Sequence, residues 1–217
     1  MNDAADFAGF PVAALDFYDD LELDNTRSFW TAHKAIYDEA VRAPMVALTQ
    51  ALEKEFGAAK IFRPYRDVRF AKDKTPYKTH QGAYVGVAPA TGWYVQVGAP
   101  GVRVGAGFYG ADAPTLARIR AAIDDDRTGP ELEAMLRRLE RKGFERGGDR
   151  LKTSPRDYDR DHPRIDLLRH RSLVMGRSYG FEPVVHTADL LAEVRRDWRA
   201  LKPLVQWVAF RTGTAPE

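Results

Sequence analysis

Between residues 84 and 108 the apolar side chains recur with a period of two. Tyr84, Val85 and Val87 come first, then Trp93, Val95 and Val97, then Val102, Val104, Ala106 and Phe108. Only two short stretches containing Pro and Gly, residues 89–92 and 99–101, separate these runs. A parallel pair of strands needs a crossover of a dozen or more residues, so connections this short dictate antiparallel pairing. With one more short apolar run at residues 172–175, the pattern predicts an antiparallel β-meander of about four to five strands.

On either side of the meander the apolar period changes to that of a helix. Residues 10–23 carry Leu15, Tyr18 and Leu21 at helical spacing. Asn25 reads as the N-cap of a second helix bearing Phe29, His33, Ile36, Tyr37 and Val41. Pro44 reads as the start of a third, which Gly57 ends. After the meander, Asp112 precedes Leu116, Ile119 and Ile123, and Pro130 starts a helix with Leu132, Leu136 and Leu139. Residues 143–161 are polar and form a loop with room for a short strand, and a short helix fits residues 163–170. Thr187 reads as the cap of a last helix, with Pro203 opening its final turns. Helices, then strands, then helices indicate an α+β fold, a sheet packed against N-terminal and C-terminal helices. The 217 residues, 44% of them hydrophobic, suit a single domain over 1–217.

Composition excludes several functions. No cysteine is present, which removes disulfides, thiolate metal sites and cysteine nucleophiles. No apolar run approaches the roughly 18 residues of a membrane span. Residues 1–24 are acidic and lack the basic start of a secretory signal, so a cytoplasmic protein is expected. The net charge of +2 argues against duplex nucleic acid as a partner.

Against that balance, residues 63–78 (RPYRDVRFAKDKTPYK) hold six basic side chains and two acidic ones. If residues 65–71 are extended, Arg66 shares a face with Val68 and Phe70, and Tyr65, Asp67 and Arg69 share the other. An arginine facing inward needs an ion pair, a bound anion or an edge position. Arg63, Arg66, Arg69, Lys74 and Tyr77 suit an anion site, because guanidinium forks grip phosphate or carboxylate and a lysine adds a point charge. Asp67 and Asp73 are the candidate bases. The opposing reading is an internal staple in which the two aspartates lock the arginines.

A second basic stretch, residues 146–171, has eight arginines or lysines against five aspartates. If it folds near the first, Arg156, Lys152 or His162 would join the same cleft. Gly105-x-Gly107-x-x-Gly110 spells a dinucleotide fingerprint, but it ends a meander and does not open a βαβ unit, so no nicotinamide cofactor is expected. Close packing explains it better, with an anion at the helix start behind Asp112 as the other option. The histidines lack the spacing of a helical metal site, and Asp157, Asp159, Asp161 and His162 read as a polar loop leading into a helix, so no metal is expected.

The string Arg63-x-x-Arg66-Asp67-x-Arg69-Phe70-x-x-Asp73-Lys74-x-Pro76-Tyr77 resembles the signature of a bacterial and fungal family known as DUF2461, a domain of unknown function. Residues 25–37, 105–107 and 155–168 look similar to members of that family. Asp157 stands where the resemblance leads one to expect glycine. The resemblance implies relatives and carries no activity with it.

Overall fold

The short turns reverse the chain as expected. In the computed structural model, which describes residues 6–69 and 72–212, β1 (Lys60–Ile61) is followed by β2 (His80–Ala88), β3 (Thr91–Gly98) and β4 (Gly101–Phe108). After Pro89, Ala90 takes a left-handed φ of 58°, and at the next turn Gly101 takes 94°. Two later strands, β5 (Glu145–Gly147) and β6 (Leu173–Gly180), complete a six-stranded antiparallel sheet in the order β1-β2-β3-β4-β6-β5. The α+β class is as expected, and the sheet is slightly larger. β1 and β5 have two and three residues, too few for a period of two to register in sequence.

The helices are α1 (Val12–Leu23), α2 (Arg27–Ile36), α3 (Ala43–Phe56), α4 (Ala113–Asp124), α5 (Thr128–Arg141), α6 (Ile165–Leu168) and α7 (Leu190–Thr212). Three boundaries differ from the expectation. The cap of α2 is Thr26, whose hydroxyl accepts the Phe29 N–H, and not Asn25. Pro44 stands in the first turn of α3 and Gly57 caps its end, as expected, but a π-helical turn, Tyr37–Arg42, joins α3 to α2 and shifts the hydrogen-bond ladder just before the residue that lacks an N–H. Pro203 lies inside α7, where Leu201, Leu204 and Val205 around it are fully buried. Packing there outweighs one missing backbone bond.

The chain divides into two compact units. The first comprises Met1–Val85, Tyr94–Val104 and Ser178–Arg196, and the second Gly86–Trp93, Gly105–Arg177 and Asp197–Glu217. The first unit buries Phe10, Tyr18, Leu21, Met45, Leu48 and Leu52. The second buries Ile119, Ile123, Leu132, Leu136 and Trp198, and the Trp93 indole donates to the Trp198 carbonyl at 3.3 Å. Also in the second unit, the buried Arg164 guanidinium donates to the carbonyls of Ile123 and Asp124 at 2.6 and 2.5 Å, closing the C-terminal end of α4.

Two of the three glycines of the 105–110 motif, Gly105 and Gly107, serve packing. A Cβ on Gly107 would lie 2.0 Å from the Leu173 carbonyl oxygen, and one on Gly105 would lie 3.1 Å from that of Met175. β4 and β6 approach each other where these side chains are missing. Gly110 has a φ of 68° with open space around it. Gly107→Ala is therefore expected to destabilise by more than about 3 kcal/mol, because positive φ and a backbone collision add. Gly110→Ala should cost only about 1 kcal/mol, the left-handed penalty alone. Urea denaturation of the two variants measures the difference, and equal costs would show that the strand approach is not limiting.

Candidate functional site

Residues 63–78 form a loop of the first unit, closed at its base by a single antiparallel bridge between Tyr65 and Tyr77. The Arg66 N–H donates to the Pro76 carbonyl at 2.9 Å, and the Lys78 N–H to that of Pro64 at 2.8 Å. In such a pair the N–H and C=O of Tyr77 point away from the bridge. Asn25 takes both: its amide donates to the Tyr77 carbonyl and its carbonyl oxygen accepts the Tyr77 N–H, each at 3.1 Å. One side-chain amide thus replaces a neighbouring strand. Gln81, buried at the start of β2, donates to the Phe62 carbonyl at 2.8 Å and accepts the Tyr37 hydroxyl at 2.6 Å. Burial, chiefly, pushes the Tyr37 hydroxyl up to about 12, so it remains a donor.

Above the bridge no ladder forms among the described residues, although the alternation of faces holds over 65–69. Tyr65, Asp67 and Arg69 are exposed, and Arg66 and Val68 are half-buried. Side chains occupy the backbone groups a strand would have used. Asp73 accepts the Thr75 N–H at 2.9 Å and the Thr75 hydroxyl at 2.8 Å. Lys74 donates to the Val68 carbonyl at 2.9 Å. The inward position expected for Phe70 lies outside the described residues.

The arginines meet the aspartates. Arg66, 32% exposed, pairs with Asp73 and donates to the Thr75 hydroxyl at 2.7 Å. Arg69 pairs with Asp67 through two contacts of 2.9 and 2.6 Å. The bonds from Arg69 hold the Asp67 carboxyl below the usual carboxylate range, and those from Thr75, then Arg66, do the same for Asp73. A general base works best with a pKa near the operating pH. Asp67 and Asp73, the candidate bases, are accordingly poor proton acceptors. Tyr77 is 4% exposed and its ring stacks on Trp30 at 4.3 Å and 7°, so the ring belongs to the core.

Beside the loop lies a cavity of about 420 Å³ lined by Arg66, Asp67, Lys78, Thr79 and His80. Of the residues singled out from sequence as site residues, it collects Arg66 and Asp67. Arg63, Arg69, Asp73, Lys74 and Tyr77 are not among its walls, and Arg156 is an exposed residue of the second unit. Lys78, Thr79 and His80 had a faint signal: they follow the motif directly, and Lys78 and His80 are two residues apart where β2 begins. Gly98 of β3 makes room for them, since a Cβ there would lie 2.9 Å from the Thr79 carbonyl and 3.2 Å from the His80 Cβ.

The cavity carries unbalanced positive charge. Asp67 is neutralised by Arg69 and Asp73 by Arg66. Among the described residues the exposed Arg63 guanidinium makes no hydrogen bond or ion pair. Lys78 donates to the Arg63 carbonyl at 3.0 Å. Burial, then the charge of Arg63, pushes the Lys78 ammonium down, and burial, then Lys78, pushes the His80 imidazole down. Among the described residues no group of three or more His, Asp or Glu side chains could hold a metal ion. No helix among them is long and apolar enough to cross a membrane.

Residues 13–207 match the model of a family described as "Conserved hypothetical protein (DUF2461)". None of the curated proteins matches the chain.

Two outcomes are expected from the loop geometry. Asn25→Ala should destabilise by about 1–3 kcal/mol in urea denaturation, since it leaves two half-buried main-chain groups unpaired, and should weaken the near-UV signal of the Trp30–Tyr77 stack. A cost no larger than that of an exposed alanine substitution would remove Asn25 from this role. The Asp73 carboxyl should titrate below the ordinary aspartate value of about 3.9 in a carbon-13 NMR titration. Its folded pKa is depressed, so its contribution to stability is complete above about pH 4 and is lost as pH falls through the folded value.

Proposed function

We propose that this chain, which belongs to the DUF2461 family, binds a small anionic ligand, phosphate-bearing in the simplest case, in the cavity beside the 63–78 loop. Lys78 supplies the direct charge, Arg63 the supporting field, and Thr79 and Arg66 hydrogen-bond donors. The supporting observation is the leftover charge: two aspartates neutralise two arginines, and, after burial, the charge of Arg63 pushes the Lys78 ammonium down and that of Lys78 pushes the His80 imidazole down. Cations held together without a counter-charge favour a bound anion, because the anion relieves their repulsion. Asp67 and Asp73 then position the arginines and do not take protons. The cavity excludes neither a sugar nor a nucleoside by size.

A specific observation also favours a second reading, in which the protein is not an enzyme and the loop is an internal staple. Arg66 is tied to both Asp73 and Thr75, and Arg69 to Asp67 through two contacts.

Thermal denaturation with and without phosphate compounds separates the two. On the anion reading, phosphate raises the melting temperature of the parent chain. Lys78→Ala then removes that rise while shifting the ligand-free melting temperature by only a few degrees, about 1 kcal/mol or less. On the staple reading, Arg66→Ala lowers the melting temperature sharply and phosphate changes nothing in either protein.

A further inference from the structure

The outward face of the sheet in the first unit is aromatic and cationic. Along β2 the side chains of Gln81, Ala83 and Val85 are buried, and along β3 and β4 those of Val95, Val97, Val102 and Val104 are. The residues that alternate with them, among them Tyr84, Tyr94 and Gln96, are half-buried, and Arg103 is exposed. Lys60 of β1, also exposed, stands directly opposite Tyr84, so the two side chains share this face. Two residues on from Lys60, the half-buried Phe62 ring lies 6.4 Å from that of Tyr94, and the Lys78 ammonium lies 5.3 Å over it.

Two glycines keep this face shallow. A Cβ on Gly82 would lie 2.4 Å from the Tyr94 hydroxyl oxygen and 2.9 Å from both Cε2 and Cζ, so the Tyr94 ring lies across bare backbone. Its hydroxyl donates to the Gln96 side chain at 3.0 Å, which holds the ring along the strand. Gly98, where a Cβ would lie 3.2 Å from that of His80, leaves a second gap. The result is an aromatic floor with cations at its sides, Lys60 and Lys78 near β1 and Arg103 on β4 beyond β3. None of these side chains is acidic, and Asp67, at the adjoining cavity, is paired with Arg69.

A ligand that fits this surface is flat in several places and negatively charged between them. Bases of any sequence stack on aromatic rings, and lysine and arginine neutralise the phosphates that link them. Bases in a duplex are already stacked on one another and do not reach such a floor. We infer that this face binds a single-stranded nucleic acid, with bases on Phe62, Tyr94 and Tyr84 and phosphates on Lys60, Lys78 and Arg103. The low net charge of +2 does not oppose this, because the cations are gathered on one face. Only Lys78 is common to these contacts and to the cavity proposed to hold a small anion. The rings and the other two cations lie outside the cavity walls.

Fluorescence anisotropy of the full chain with labelled oligothymidylate and oligouridylate of about 12 nucleotides tests it. At least one strand is expected to bind about ten-fold or more tighter than a duplex of the same length and than thymidine monophosphate. Its log–log salt slope should be about −2, because each of the three cations releases about 0.7 of a counterion from a single strand. Lys60→Ala combined with Arg103→Ala, both exposed, should bring the slope to about −0.7 with an unchanged melting temperature. Tyr94→Leu and Phe62→Leu should each weaken the strand by about ten-fold. If these two variants do not fold, Tyr84→Leu and the salt slope decide. The rise of the melting temperature with phosphate reports on the cavity and does not depend on Lys60 or Arg103, so the two ideas fail separately. Binding of neither strand, equal affinity for duplex or mononucleotide, an unchanged salt slope in the Lys60→Ala, Arg103→Ala chain, or indifference to the ring substitutions overturns the inference.

Discussion

The loop that carries the charge depends on one amide side chain. The bridge between Tyr65 and Tyr77 is a single pair, too little to hold sixteen residues against their conformational entropy. Asn25 completes it by occupying both outward-facing groups of Tyr77, and the stack on Trp30 then buries the ring. Because Tyr77 is fixed, Lys78, Thr79 and His80 enter β2 in a set direction, and the cavity wall follows from that. The interaction spans 52 positions in sequence, so it is a tertiary contact that local sequence does not set.

Charge within the loop is largely spent on the loop itself. Each aspartate takes an arginine, and Lys74 and Lys78 take carbonyls. These exposed pairs contribute little to stability one by one. Together they fix the conformation of a segment whose described residues form one bridge and no ladder. The second unit uses its charges in the same way. Arg164 closes α4, Arg177 meets the buried Asp197 at 3.2 Å, and Arg146 meets Glu140. Counting basic residues along the sequence therefore overstates the charge available to a partner. The cations without an internal anion are the informative ones.

This explains which features could be read from sequence. Periodicity located the sheet and most helices, because burial on one face repeats locally. It could not find β1, which is shorter than a repeat, or the π-helical turn that carries the chain into Pro44, and it left β5 as room for a short strand within residues 143–161. Asn25 was misread because a residue at a helix start has two uses. It can cap, or it can reach out, and only the position of Tyr77 decides. Alternation along 65–69 was legible and correct as to faces. The pairing of Arg66 with Asp73 was legible only as one of several options, since composition supplies the partners but not the fold of the loop that joins them.

The same limit governs the sites. A motif stands out in a sequence when its residues are unusual together, and residues whose partners lie within the motif are the ones constrained to be so. In residues 63–77 the charged side chains Arg66, Asp67, Arg69 and Asp73 all have partners within the motif, and Tyr77 stacks on Trp30 outside it. Lys78, Thr79 and His80, which line the cavity, lie at the margin of the motif or beyond it. The signal in the sequence thus reports the scaffold, and groups left over for a ligand emerge only once the internal partners have been subtracted.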